Sequence, residues 1–166
     1  MADPAEPDRS IELTRSLFLR DDNHYGCAES SLVALQKIYG LPNAEDSSSA
    51  MVLNGGVAYS GGVCGAISGA AMAVGRLAEL RISDHKEAKR TARKIIQRVM
   101  IEFDTEFGSH NCAGLIEYDI ATQEGHDEFI ASGVWRSTCM KQLEFSVSRL
   151  AALADPEMWD EVVASL

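Results

Sequence analysis

The chain is short of basic charge, poor in proline and without paired cysteines, and each scarcity narrows what it does. Lysine and arginine number 15 against 25 aspartates and glutamates, a net charge of −10. Nucleic-acid binding rests on excess positive charge, so general binding to DNA or RNA is not expected. The same deficit argues against attachment to anionic membrane surfaces. Only 4 prolines interrupt 166 residues, so long helices are permitted. The 4 cysteines, Cys27, Cys64, Cys112 and Cys139, never form a C-x-x-C pair. That removes the thioredoxin-type motif, the knuckle pairs of zinc fingers and c-type haem attachment. Strand alternation and hairpin turn signals are missing too. The first residues read M-A-D-P-A-E-P, with acids where a secretory signal carries basic residues, so no such signal is expected. The expected setting is the cytoplasm, where thiols stay mostly reduced.

What the chain does have is an uncharged stretch from Ala50 to Gly75, with seven glycines from Gly55 onward and Cys64 among them. Its glycines, Asn54, Ser60 and Ser68 make it too weakly apolar for an expected membrane span. It reads as a glycine-rich loop running into a small-residue helix. Gly61 and Gly62 permit backbone shapes closed to residues with a Cβ. Gly65, Gly69 and Ala73 then recur at four-residue steps, on one smooth face that lets a second helix approach closely. Glycine inside a helix costs about 1 kcal/mol relative to alanine, which close packing must offset. The same face offers a route to a homodimer.

The rest of the chain reads as helices. Residues 1–9 are expected as a flexible leader, and 10–166 as one helical domain. A short helix is expected from Ser10 to Arg20, and a second from Cys27 to Tyr39 with Leu32, Leu35 and Ile38 as its apolar stripe. Gly40 and Pro42 end it. Asn43 is placed to cap a helix from Ala44 to Leu53. Ser83 or Asp84 opens the longest helix, which ends at Phe107 before Gly108. Its core face is Ala88, Ala92, Ile95 or Ile96, Val99, Phe103 and Phe107. Its other face is basic: Lys86, Lys89, Arg90, Arg93, Lys94 and Arg98. That face is either solvated and paired with acids elsewhere or a docking surface for an acidic partner. Cys112 opens a short helical turn, and Asp127 to Ala131 is a weak helix candidate. Ser137 or Thr138 caps a helix from Cys139 to Ala152, and Asp155-Pro156 starts the last. The fold class is all-α: a compact bundle of roughly six to eight helices around the glycine-rich central helix.

Each cysteine follows a turn-like stretch and sits at an expected helix start. Helix N-termini offer free N–H groups and partial positive charge, which stabilise a thiolate. A thiolate is both the nucleophile and the metal ligand. A single cysteine is most often a small buried apolar residue; four in matching local positions point to thiolate chemistry. His24, three residues before Cys27, and His110, two before Cys112, are candidate bases or co-ligands. His85 and His126 lie in polar stretches with no partner in view, and Trp135 and Trp159 read as packing residues.

These blocks resemble the family named for its C-GCAxxG-C-C pattern, described as putative redox-active proteins. Cys27-Ala28 before a helix ending in Tyr39-Gly40 is similar to its first block. Gly61-Gly62-Val63 followed by Cys64-Gly65-Ala66-Ile67-Ser68-Gly69 is similar to its central one. Phe107-Gly108-Ser109-His110-Asn111-Cys112 looks like the third, and Cys139 supplies the fourth cysteine. The segment between Cys112 and Cys139 is long for the family. The resemblance implies a four-cysteine redox or metal role, with no settled substrate. Three readings stand open: thiol–disulfide or electron-transfer chemistry with a redox partner protein; an iron–sulfur cluster or zinc held by the four cysteines; or a helical interaction module with the cysteines as core filler.

Overall fold

A computed structural model describes residues 6–166, and among them eight α-helices form and no strand. They are α1 (Glu6–Phe18), α2 (Cys27–Ile38), α3 (Gly65–Arg81), α4 (His85–Phe107), α5 (Cys112–Leu115), α6 (Gln123–Ser132), α7 (Thr138–Ala151) and α8 (Pro156–Ala164). The all-α expectation holds. Local chemistry sets the boundaries of α4 and the start of α8. The Asp84 carboxylate accepts from the Glu87 N–H at 2.7 Å and starts α4, and Gly108, at φ 80°, ends it. The Asp155 carboxylate accepts from Glu157 N–H at 2.7 Å, with Pro156 in the first turn of α8. These are ordinary side-chain and glycine caps.

Two expectations fail locally. Ala44 to Leu53 is not a helix. Asn43 takes a left-handed φ of 53° and does not cap, and only a short 3₁₀ turn, Ser48–Ala50, follows. The Asp46 carboxylate accepts from the Ser48 N–H at 2.9 Å. Short polar side chains here bond the backbone locally and so compete with a helix. At the other end, α1 already runs from Glu6, inside the span expected as a leader; residues 1–5 lie outside the described residues.

The centre of the bundle is a pair of helices. Every residue of α2 from Ala28 to Gln36 is buried, and α3 packs along it. The smooth face of α3 makes this contact. A Cβ added to Gly69 would lie 2.0 Å from the Ala28 carbonyl oxygen. One added to Gly65 would lie 2.3 Å from Cys27 Sγ. Ser31 Oγ donates across the seam to the Gly65 carbonyl at 2.9 Å. The homodimer route through Gly65, Gly69 and Ala73 is therefore closed: α2 already covers that face. The remaining helices enclose the pair, with α4 and α7 against α3, and α1 against α2 and α7.

On α4 the inward face is Ala88, Thr91, Ile95, Val99 and Phe103. This resolves the register in favour of Ile95, with Ile96 at the margin. The basic face is not paired with acids as expected. Among the described residues Lys86, Lys89, Arg90 and Arg93 form no ion pair. Lys94 and Arg98 bond the C-terminal Leu166 and Ser165 carbonyls instead. No helix of the described residues is long and apolar enough to cross a membrane.

Candidate functional site

Five consecutive residues, Gly55, Gly56, Val57, Ala58 and Tyr59, adopt left-handed φ values between 50° and 74°. They form a left-handed turn, closed by Ala58 N–H to the Val52 carbonyl at 2.7 Å and Gly61 N–H to the Gly55 carbonyl at 3.0 Å. Left-handed backbone costs a residue with a Cβ about 1–2 kcal/mol, and Val57, Ala58 and Tyr59 all carry one. Strain of this kind persists only where surrounding structure fixes it. Here the fixing is visible. The chain leaves the turn at Gly61 and Gly62 and pairs with the segment before α5. Cys64 N–H donates to the His110 carbonyl at 2.8 Å, and Cys112 N–H to the Gly62 carbonyl at 2.7 Å. Two sequence-distant cysteines are thereby held on one stitch.

Cys27 completes the approach from α2. Its Sγ lies over the Cα of Gly65, a position that any larger residue would deny it. Asn54, at the entry to the left-handed turn, anchors the start of α2. Its Oδ1 accepts from Ala28 N–H at 2.9 Å and weakly from the Cys27 thiol at 3.9 Å, while its Nδ2 donates to Glu29. Cys139, in the first turn of α7, closes the group. Cys64 is buried, with Cys27, Cys112 and Cys139 in the same packed cluster. The four helix starts expected from sequence are present: Cys27 and Cys112 open α2 and α5, Cys64 caps α3, and Cys139 is the second residue of α7.

The electrostatics depart from expectation. Helix N-termini were expected to lower the thiol pKa values, yet all four are raised. Burial pushes up Cys27, opposed by the backbone N–H groups of Gly55, Ala28, Gly65 and Cys27 itself. Burial lifts Cys64 well above its ordinary value, with further repulsion from Cys27. Cys112 is pushed up to about 11, by burial and then by Cys27. Cys139 rises by burial, then by Cys27 and Cys112. Desolvation outweighs the helix ends because a thiolate in apolar surroundings loses its water. Cys27 is the thiol whose charge acts most on each of the others. It is also the one ringed by N–H groups, which receive its charge when it forms.

Cys27, Cys112 and Cys139 share the wall of a cavity of about 440 Å³; Cys64 lies behind it, its thiol directed to Gln142 Oε1 at 3.8 Å. Phe18, Phe129 and Trp135 supply apolar wall. Of the two candidate histidines, His24 reaches the cavity, stacked edge-on to Tyr25. His110 does not: its ring is tied to the Asp104 carboxylate at 2.8 Å, and its contribution is the backbone carbonyl that holds Cys64. Sequence reasoning missed His126, which lines the cavity and stacks against Tyr59 at 4.7 Å. It also missed Asn54 and Gln142. None of the three carries a local signal; the fold alone brings them in.

Four thiolates are a donor set that an iron–sulfur cluster or a zinc ion can use. Among the described residues no three His, Cys, Asp or Glu side chains are grouped as a metal site requires. The cysteines as placed do not fit such a group.

A family model described as putative redox-active protein (C_GCAxxG_C_C) matches residues 25–152. The chain belongs to this family. The matched span of the C_GCAxxG_C_C protein begins just before Cys27 and ends after Cys139, so it takes in all four cysteines and the glycine-rich stitch between Cys64 and Cys112. No curated protein and no solved structure matches the chain.

Proposed function

We propose that this C_GCAxxG_C_C protein is a dithiol–disulfide redox protein in which Cys27 is the working thiol and Cys112 its first partner. The observation that carries the reading is the setting of Cys27. Its Sγ is fitted over a glycine, faces the N–H groups of Gly55, Ala28 and Gly65, and borders one cavity with two other thiols. A thiolate is the attacking species in thiol–disulfide chemistry, and those N–H groups stabilise it in an otherwise desolvated site. Cys112 is supported as partner by the stitch to Gly62 and by its response to Cys27. On oxidation both S–H bonds are lost, one S–S bond forms, and two electrons and two protons leave. Cys64 and Cys139 complete the packed cluster.

The test is a redox titration of the purified protein in dithiol–disulfide buffers, with remaining thiols counted by alkylation and mass spectrometry. The expected result is loss of two thiols in one step, within the monomer, and no such step in Cys27→Ser. Four alkylatable thiols across the whole range would overturn the reading.

A further inference from the structure

Resting on the dithiol reading, we infer that the cavity beside Cys27 receives a flat, uncharged two-electron acceptor of the quinone class, which the dithiol reduces. At about 440 Å³ the cavity is within the size range of small-molecule sites. Its wall is mainly ring and hydrocarbon, including Phe18, Phe129 and Trp135, with the Glu29 carboxylate, bonded by Asn54, as its one acidic member. A flat aromatic ring packs well against such edges and faces. Trp135 is 7% exposed and adds a broad ring to that wall.

Charge balance selects the class. An apolar wall penalises any step that leaves a net charge behind. Two thiols and a quinone are neutral, and so are the disulfide and the hydroquinone they become. The S–H bonds of Cys27 and Cys112 break and one S–S bond forms. The electron pair reduces the quinone ring, and the two protons finish on its carbonyl oxygens as hydroxyls. The burial that holds the thiols protonated matches an acceptor that takes a proton with each electron. Anionic acceptors must shed their hydration to enter and then meet the Glu29 carboxylate.

The probe is tetramethyl-1,4-benzoquinone, whose fully substituted ring cannot add a thiol at carbon. Reduced protein is mixed with it without oxygen, and quinone absorbance and thiol count are followed together. Diamide, a general disulfide-forming oxidant, is run in parallel. The expected result is one quinone reduced for two thiols lost, with a rate that saturates in quinone. Ile130, 42% exposed at the cavity edge, gives a blocking variant that leaves the core alone. Ile130→Trp should slow quinone reduction about tenfold or more, as expected when a pocket is filled. It should keep the full diamide endpoint. Disulfide formation by diamide without quinone reduction, or quinone reduction indifferent to Ile130→Trp, overturns the cavity inference and leaves the dithiol reading standing. Failure of diamide itself overturns both.

Discussion

The interior is divided into two clusters built from different side chains. One joins α2, α3, α4 and α8 through Leu32, Leu35, Val74, Leu77, Ile95 and their neighbours; it is almost wholly aliphatic, with Trp159 its one buried aromatic. The other, around the start of α3, the end of α4 and α5 to α7, holds Phe18, Phe103, Phe129, Trp135 and Met140, and all four cysteines belong to it. The aliphatic half is built of hydrocarbon side chains, holds no cysteine and is chemically inert. The aromatic half has a cavity, a left-handed turn with three Cβ-bearing residues and thiols held away from water. Strained backbone at Val57, Ala58 and Tyr59 lies beside the second half, as expected at a working site.

The largest effect should come from the inert half. Leu35 is fully buried, and Leu35→Ala should cost about 2–5 kcal/mol. Denaturant unfolding would read that loss, while alkylation of the still-folded protein should show unchanged thiol reactivity. Matching changes in both would dissolve the division between the halves. Next comes the seam that joins them. Gly69→Ala adds a Cβ 2.0 Å from the Ala28 carbonyl oxygen, so α2 and α3 must part. Despite the better helix propensity of alanine, we expect a net loss of about 1–3 kcal/mol. The shift should also raise the alkylation rate of Cys27, whose Sγ rests on the same seam.

The aromatic half should betray itself in alkali. All four thiols have folded pKa values above the unfolded one, so the native state holds its protons longer. The stability this gives is whole below the unfolded value of 9.0 and is lost as pH rises towards the folded values, about 11 for Cys112. The melting temperature should fall between those pH values, and less so in protein with its thiols blocked by disulfide. An equal fall in both forms would show that the thiols are not its source. The smallest effect belongs to the left-handed turn. Val57 is 49% exposed at φ 67°. Val57→Gly removes the strain but loosens the unfolded chain, for a net gain of about 1 kcal/mol or less. A loss would mean that the valine side chain, not the backbone, holds the turn.

Sequence patterning carried the aliphatic half further than the aromatic half. Three- and four-residue spacing in α2 and α4, the Asp84 and Asp155 caps and the Gly108 stop are local signals, and each is where it was expected. The smooth face of α3 was legible as a packing surface, but its occupant was not, because nothing local distinguishes α2 from a second copy. In the site, the four cysteines and Gly61, Gly62, Gly65 and Gly69 stood out as a pattern. Val57-Ala58-Tyr59 gave no hint of left-handed backbone, since its cause is the stitch to residues 110–113. His126 and Gln142 reach the site only through packing of α6 and α7. The raised thiol pKa values also needed burial, which the sequence does not state, to be weighed against the helix ends.

The most direct measurement is a disulfide map of the oxidised, unreduced protein by peptide mass spectrometry. The account predicts that the dominant bridge joins Cys27 to Cys112, with Cys64 and Cys139 recovered as free thiols. A bridge between Cys64 and Cys139, or no bridge at all, would contradict the placing of Cys27 at the centre of the chemistry.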